Sequence, residues 1–245
     1  MLSNSSKPQE RIVFPLDVST QEEALKWVER LNGLVGVFKI GLELFTSCGP
    51  GIIEEIKKRT DHKIFLDLKL YDIPNTILRT IRVISNLGVD WITVHTLSGS
   101  EALKNAVNSA YNNLKIIAVT IITSLDRADL MELGFNSELV RDTKELVFKL
   151  AQIAYKTGCD GIVCSAKEVS KIKEIFPEFI TVVPGIRLEE SKDDQVRVST
   201  PYEAILAGAD YLVIGRPIRE AFSPEKVCKT IAGQIKKALE EKNDK

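Results

Sequence analysis

Two carboxylates and one lysine lie within six residues where the apolar run KIFLDLKL continues into YDIPNT. Side chains two apart on a strand point to the same face, so we expect Asp67 and Lys69 to face one cavity, with Asp72 just beyond in the loop. Nearby carboxylates keep a buried ammonium protonated against the cost of desolvation. Lys69 is therefore a candidate cation and proton donor. The alternative is a structural ion pair, with Asp72 capping the helix that begins near Pro74.

Polar and ionisable residues lie at the ends of several other apolar runs. Asp17 ends IVFPLD, Lys39 lies within VFKIG, His95 ends WITVH, and Thr123 and Ser124 follow AVTII. Four or five ionisable groups at the ends of three successive buried strands would be costly as packing alone, which favours an active site. A single histidine at a strand end is more often a packed supporting residue, so His95 is not assigned a catalytic role.

The last apolar run, YLVI, is followed by a candidate phosphate site. Gly215 lets backbone N–H groups approach a ligand, and Arg216 supplies a guanidinium that suits phosphate. The preceding loop, PGIRLEESKDDQV from Pro184, is long and polar and is predicted to close as a lid over the phosphate. Arg187 and Gln195 are the lid residues expected to reach the ligand. The alternative is an ordinary solvated loop.

Common cofactor, metal and nucleophile motifs are absent from the sequence. Neither GxGxxG nor GxxxxGK[ST] occurs, the two histidines lack a zinc-type partner spacing, and the four cysteines form no CxxC pair. Ser165 begins SAKE and is predicted to cap a helix rather than to act as a nucleophile. The simplest inference is chemistry on a phosphorylated metabolite without a metal or an organic cofactor.

The chain of 245 residues is balanced in charge, with 33 Lys and Arg against 34 Asp and Glu. This balance gives no reason to expect general affinity for nucleic acid or for an anionic membrane surface. The first ten residues, MLSNSSKPQE, lack the apolar core of a secretory signal, and no apolar run is long enough to span a bilayer. We therefore expect a cytoplasmic protein with reduced cysteines.

Eight apolar runs rich in Val, Ile and Phe alternate with helical patterns along the chain. The runs begin at Ile12, Val37, Lys63, Trp91, Lys115, Gly161, Ile180 and Tyr211. Continuous apolarity indicates strands buried on both faces, and eight β/α units favour an α/β fold with a single (β/α)8 TIM barrel. An open doubly wound sheet would alternate in the same way. We predict a disordered polar tail over 1–10, a catalytic barrel domain over 11–240, an extra short helix around ADLMELG, and no internal repeat.

The chain resembles the orotidine 5′-phosphate decarboxylase family in its bacterial-type form over nearly the whole barrel. The matching motifs occur in the family's order and approximate spacing. They are LDV around Asp17, FKIG around Lys39, FLDLKLYDIPNT, TSL at Thr123, PGIR at Pro184, DQ at Asp194, and IGRPI around Gly215. This resemblance implies decarboxylation of orotidine 5′-monophosphate to uridine 5′-monophosphate, the last step of pyrimidine nucleotide synthesis, with neither metal nor organic cofactor.

The resemblance also implies a role for each motif residue. Lys69 would stabilise and then protonate the carbanion at ring carbon C6, while Lys39 and Asp67 hold the charged network. Asp72 would complete that network from the neighbouring subunit of a homodimer. The remaining matches would bind substrate: Asp17 with Lys39 at the ribose, Thr76 from the partner chain, Thr123 and Ser124 at the pyrimidine edge, and Arg187, Gln195, Gly215 and Arg216 at the phosphate.

Two alternatives remain open from the sequence. Related sugar-phosphate decarboxylases and aldolases carry a DxKxxD motif but use magnesium, and they typically place a glutamate where this chain has Lys39. A lysine there would repel the ion, which needs hard oxygen ligands. The second alternative is a non-catalytic barrel that binds a phosphorylated metabolite, since a fold alone does not determine function.

Overall fold

A computed structural model of the chain describes residues 7–188 and 199–243. Eight parallel strands close into a barrel in sequence order, with β8 paired to β1. Closure confirms the predicted (β/α)8 barrel rather than an open sheet, and each strand begins where an apolar run begins. The strands are β1 Ile12–Pro15, β2 Val37–Gly41, β3 Lys63–Leu70, β4 Trp91–His95, β5 Lys115–Val119, β6 Gly161–Val163, β7 Ile180–Val183 and β8 Tyr211–Val213.

The helices surround the barrel and follow the predicted alternation. They are α1 Gln21–Leu31, α2 Leu42–Cys48, α3 Gly51–Lys57, α4 Pro74–Ser85, α5 Ser100–Ser109, α6 Arg127–Glu132, α7 Thr143–Lys156, α8 Ala166–Ile175, α9 Pro201–Leu206, α10 Arg216–Arg219 and α11 Pro224–Asn243. The predicted extra helix is α6, whereas α2 and α10 were not predicted. Within the described ranges, no helix has the length and apolarity needed to cross a membrane.

The predicted domain bounds, 1–10 for the tail and 11–240 for the barrel, stay predictions. Of the tail, the structure describes residues 7–10, and Pro8–Arg11 form a short 3-10 turn.

The strands are apolar throughout because both of their faces are buried. Inside the barrel, the ring of Trp91 packs edge-on against Phe65 at 5.5 Å and Tyr211 at 4.5 Å between ring centroids. Outside it, the opposite strand faces and the inner faces of the helices form a larger apolar cluster. Burial of this kind, at roughly 25 cal/mol per Å² of apolar surface, holds the strand ends in fixed positions.

A recurring Gly-x-Asp pattern precedes strands β4, β6 and β8. Each glycine follows a helix with a positive φ, and each aspartate carboxylate accepts a hydrogen bond from a backbone N–H near the start of the preceding strand. The glycines are Gly88, Gly158 and Gly208, and the aspartates Asp90, Asp160 and Asp210 accept from Ile64, Ile116 and Thr181 over 2.8, 2.8 and 2.9 Å. This local pattern, which joins neighbouring strands at the amino end of the barrel, was not predicted from the sequence.

His62, just before β3, closes the carboxyl end of α1 through a hydrogen bond. The backbone N–H of Gly33 donates to its Nε2 over 2.8 Å, and its ring contacts that of Phe38. Gly33 has a φ of +77°, which glycine adopts at low cost beyond a helix end. Burial lowers the pKa of His62 against the opposing charges of Asp61 and Glu10, so the neutral imidazole can accept this bond.

We expect acid to weaken this contact. Because the folded pKa of His62 lies below its unfolded value, the stabilisation is complete above about pH 6.5 and is lost as the pH falls through the folded pKa. His62→Gln keeps an acceptor that does not titrate. Between about pH 7 and pH 5, the free energy of unfolding should therefore fall less for His62→Gln than for the parent. The difference between the two falls should be about 1 kcal/mol, which is the net value of one hydrogen bond. Urea unfolding at each pH measures this, and parallel profiles for the two proteins would contradict it.

Candidate active site

The carboxyl ends of β1, β2 and β3 bring four of the predicted site residues into one charged network. Lys39 Nζ lies 3.6 Å from Asp17 Oδ1 and 3.3 Å from Asp67 Oδ2. Lys69 Nζ donates to the same Asp67 Oδ2 over 2.9 Å. Asp17 is also approached by Arg219 of α10, whose Nη1 donates to the Asp17 carbonyl oxygen over 3.0 Å. Positive and negative groups therefore alternate continuously from Arg219 to Lys69.

Asp67 is the centre of this network and remains ionised. Burial alone would raise the pKa of its carboxyl group and is the largest single influence. The charges of Lys39 and Lys69, together with hydrogen bonds from Lys69 and Thr93, outweigh burial and hold the pKa below its usual value. The resulting carboxylate can fix two ammonium groups within a few ångströms of each other.

An irregularity in β3 determines where the Lys69 side chain points. Leu66 pairs with Ile92 and Leu70 with Val94, so four residue steps on β3 oppose two on β4. Lys69 lies inside this bulge with a φ of +48°, an uncommon conformation for a residue other than glycine. Asp67 and Lys69 face the same cavity as predicted, but the strand between them is bulged rather than regular.

The charged network opens onto a cavity of about 250 Å³ at the carboxyl end of the barrel. Lys39, Asp67, Lys69 and Glu168 contribute its ionisable side chains. Much of the remaining lining is apolar: Val119, Val163, Val182 and Val213 come from β5 to β8, and Ile121 follows β5. A small ring compound with one face against apolar side chains and one atom beside the two ammonium groups matches this lining.

A second and larger cleft, of about 650 Å³, adjoins the first cavity. Thr123, Ser165, Glu168 and Pro184 line both, and Ser124 lines the larger one. Thr123 and Ser124 are exposed there, which leaves their hydroxyl groups accessible to a ligand. Ser165 lies at the N-cap of α8, as predicted, and its backbone N–H donates to the Glu168 carboxylate.

The predicted phosphate residues lie beside the charged network. A side chain at Gly215 would come within 2.9 Å of Pro15 Cγ, so only glycine lets this loop pack against the end of β1. Arg216 is exposed and forms no ion pair with any residue in the described ranges. The backbone N–H of Arg187, in the loop predicted to act as a lid, donates to the Ser199 carbonyl over 3.0 Å. Gln195, also predicted to bind phosphate, lies outside the described residues.

Asp72 and Thr76 are not part of the network within one chain. Both are exposed, and Asp72 Oδ1 accepts a hydrogen bond from the adjacent Ile73 N–H over 2.7 Å. The N-cap of α4 is Ile73 and no side chain caps it, so the alternative role of Asp72 as the helix cap is wrong. Tyr71 and Ile73 on either side are 67% and 66% exposed, which leaves an apolar surface around Asp72.

His95 lies at the margin of the site as a neutral side chain. Burial, followed by the charge of Lys69, lowers the pKa of its imidazole. Its Nδ1 accepts a hydrogen bond from the Leu97 backbone N–H over 3.3 Å, and its ring contacts that of Tyr71. These contacts agree with a supporting position.

Sequence reasoning overlooked Thr93 of β4. Its hydroxyl donates to Asp67 Oδ1 over 3.0 Å, and its oxygen accepts from the Lys69 backbone N–H over 2.8 Å. A polar residue inside the apolar run WITVH was the available signal, since a buried hydroxyl requires partners.

A closed parallel barrel that directs charged side chains from successive strand ends into one cavity is the arrangement of TIM-barrel enzymes. The fold and the site together therefore define an enzyme of this class.

Comparison with known proteins gives the family. Residues 10–231 match the sequence model of the orotidine 5′-phosphate decarboxylase / HUMPS family. The chain is 44% identical over 240 residues to an orotidine 5′-phosphate decarboxylase of Desulfosudis oleivorans, covering 96% of each chain. The crystal structure of orotidine 5′-phosphate decarboxylase from Lactobacillus acidophilus superposes with a TM-score of 0.79 at 33% identity, covering 91% of this chain and 98% of the other. The chain belongs to this family, which confirms the resemblance of its motifs.

A further solved structure is similar to this chain and contains a ligand. It is orotidine 5′-monophosphate decarboxylase from Methanocaldococcus jannaschii, complexed with inhibitor BMP, with a TM-score of 0.72 at 28% identity. The match covers 92% of this chain and 98% of the other.

Proposed function

We propose that this protein decarboxylates orotidine 5′-monophosphate to uridine 5′-monophosphate in pyrimidine nucleotide synthesis. The observation that carries the proposal is the ion pair between Lys69 Nζ and Asp67 Oδ2, 2.9 Å apart, at the wall of an otherwise largely apolar cavity. Membership of the decarboxylase family supports the reaction. Residues 11–240 form the proposed catalytic domain.

The proposed chemistry depends on one positioned cation. When the bond between C6 and the carboxylate breaks, its electron pair stays on C6 in the plane of the ring and cannot delocalise into the ring orbitals. The ammonium of Lys69 stabilises this developing charge because it is already in place and needs no reorganisation. A proton then passes from Lys69 Nζ to C6, carbon dioxide leaves, and the neutral amine recovers a proton from solvent.

Asp67 and Lys39 keep that cation in position. Asp67 holds both lysines through one carboxylate oxygen, and Lys39 links it to Asp17. Asp17 and Lys39 are proposed to bind the ribose hydroxyl groups. Enzymes lower barriers by roughly 8 to 23 kcal/mol, more than a single ion pair supplies, so binding energy from the rest of the nucleotide must contribute.

The nucleotide's two polar ends have separate proposed sites. Thr123 and Ser124 bind the pyrimidine edge, and their exposure on the adjoining cleft supports this. The phosphate is bound by the loop after β8 and by the lid after β7, through Arg187, Gln195, Gly215 and Arg216. The exposed guanidinium of Arg216 and the close packing of Gly215 on Pro15 support the first part of this phosphate site.

The active unit is proposed to be a homodimer. Asp72 and Thr76 would reach the site of the partner chain, Asp72 to complete the charged network and Thr76 to bind substrate. Their exposure, and the exposed apolar side chains of Tyr71 and Ile73 beside them, support burial of this surface against a second copy. A two-fold axis would place both loops reciprocally.

The magnesium-dependent alternative is less well supported by the donor groups present. In residues 7–188 and 199–243, no three carboxylate, histidine or cysteine side chains converge so as to hold a metal ion. The ammonium of Lys39 lies 3.3 Å from Asp67 Oδ2 and competes for the carboxylate that a divalent ion would need.

Turnover in the presence of a chelator tests the proposal directly. The purified protein should consume orotidine 5′-monophosphate, followed by ultraviolet absorbance, equally fast in excess EDTA and with added Mg²⁺. A substrate that stays intact beside a folded dimer would contradict the proposed function and favour the binding barrel. Turnover that needs Mg²⁺ would instead favour a metal-dependent relative.

A further inference from the structure

Thr93 holds two parts of the charged network without lining the cavity. Its side chain is fully buried in β4. The hydroxyl donates to Asp67 Oδ1 over 3.0 Å, which leaves Oδ2 for the two lysines. The hydroxyl oxygen also accepts from the Lys69 backbone N–H over 2.8 Å. The Thr93 side chain thus contacts both the Asp67 carboxylate and the backbone of Lys69.

The second bond matters because Lys69 lies in a bulge. A bulge removes residues from regular pairing with the next strand, so their backbone groups need other partners. A φ of +48° at a lysine also costs of order 1 to 3 kcal/mol and persists only when the surroundings hold it there. The Thr93 hydroxyl takes the place of a strand partner for Lys69 and thereby supports this conformation.

We infer that Thr93 is a positioning residue for decarboxylation, which orients Lys69 and Asp67 through paired hydrogen bonds and does not touch the substrate. This inference rests on the proposed function. Without the hydroxyl, the Asp67 carboxylate loses one of its contacts and the Lys69 backbone loses its acceptor. The ammonium then occupies its position beside C6 for a smaller fraction of the time, while the proposed phosphate and pyrimidine sites, which Thr93 does not contact, are unchanged.

Thr181 offers a matched control in the same barrel. It is also fully buried, its hydroxyl donates to Asp210 Oδ2 over 3.1 Å, and it accepts from the Asp210 backbone N–H over 3.1 Å. This arrangement repeats the paired bonds of Thr93, but it lies near the start of β7, at the amino end of the barrel. Thr181→Val therefore measures the loss of a comparable pair of bonds away from the charged network.

The experiment compares Thr93→Val, Thr93→Ser and Thr181→Val with the parent. Thr93→Val should lower kcat for orotidine 5′-monophosphate by about 10- to 100-fold, the effect of displacing a reacting group by about 1 Å. The Kd for uridine 5′-monophosphate should change by less than about twofold, because the nucleotide contacts remain. Thr93→Ser should recover most of the lost kcat. Thr181→Val should lower the melting temperature while keeping the parental kcat.

The decline of kcat at low pH provides a second measurement, which a loss of packing at Thr93 would not change. Thr93 is one of the groups that favour the ionised form of Asp67. Its replacement by valine should therefore shift the decline of kcat to higher pH. Thr93→Cys lacks the methyl group of threonine but keeps a weaker hydrogen-bonding group in place of the hydroxyl, and it replaces the valine variant if that variant fails to fold.

The outcomes separate this inference from the proposed function. A parent protein that does not turn over orotidine 5′-monophosphate overturns the proposed function. A parent that does, together with a folded Thr93→Val of unchanged kcat, overturns only the role of Thr93. An equal loss of kcat in Thr181→Val overturns it as well, because the effect would then be general to the barrel.

Discussion

Replacing Lys69 with alanine should lower kcat for orotidine 5′-monophosphate by at least about 10⁴-fold, because two contributions disappear together: a preorganised charge, typically about 10² to 10³, and a proton donor, typically about 10² to 10⁴. Binding of uridine 5′-monophosphate should change far less, since the proposed phosphate and pyrimidine contacts involve other residues. Single-turnover absorbance measurements and a calorimetric Kd for the product provide the two values.

The fold should tolerate this substitution. Asp67 keeps Lys39 at 3.3 Å and the hydroxyl of Thr93 at 3.0 Å, so its carboxylate is not left buried without a partner. The hydrogen bond from the Lys69 backbone N–H to the Thr93 hydroxyl oxygen does not depend on the Lys69 side chain. Circular dichroism and gel filtration should therefore match the parent.

Two further lysine variants make the test specific. Lys63→Ala removes a lysine from the opposite end of the same strand, where Nζ lies over the rings of Trp91 and Tyr211, and should retain the parental kcat. Lys69→Arg keeps a charge but offers a planar group that does not readily give up a proton, so it should remain strongly impaired. Parental activity in Lys69→Ala would remove Lys69 from the mechanism.

The sequence predicted the barrel well because burial on both faces of a strand leaves a continuous apolar run. All eight runs became strands, and the strand ends brought Asp17, Lys39, Asp67 and Lys69 together as expected. The closed barrel could be preferred but not proved from alternation alone, since it depends on the pairing of β1 with β8. That contact joins residues almost the whole chain apart.

The local features that the sequence did not predict lack a distinctive signal. The helix α2 begins directly at Leu42 after β2, with no turn between them, and α10 has only four residues. The bulge in β3 contains no glycine or proline, and it places a lysine at positive φ because the hydroxyl of Thr93 supports it. The bulge involves the pairing of β3 with β4, so a pattern within one strand cannot specify it.

A dimer assembled from two defective chains should recover activity if the sites are shared. Asp72→Ala alone should lower kcat by at least about 10²-fold, because it removes one charged partner of the network. In a heterodimer of Lys69→Ala with Asp72→Ala, one site lacks both residues and the other contains both. Co-expression with two different tags isolates this heterodimer, and it should show about half of the parental activity.

The recovery depends on which chain supplies each residue, and a second pair of variants controls for this. Lys69 and Asp67 come from the same chain, since their side chains are 2.9 Å apart within one protomer. A heterodimer of Lys69→Ala with Asp67→Ala therefore contains no complete site and should stay inactive.

Because Asp72 is exposed and bonded only to its neighbour Ile73 within the described part of one chain, it is free to complete a site elsewhere. An inactive first heterodimer would place Asp72 in its own chain's site or outside catalysis, and the apolar surface at Tyr71 and Ile73 would then need a different explanation.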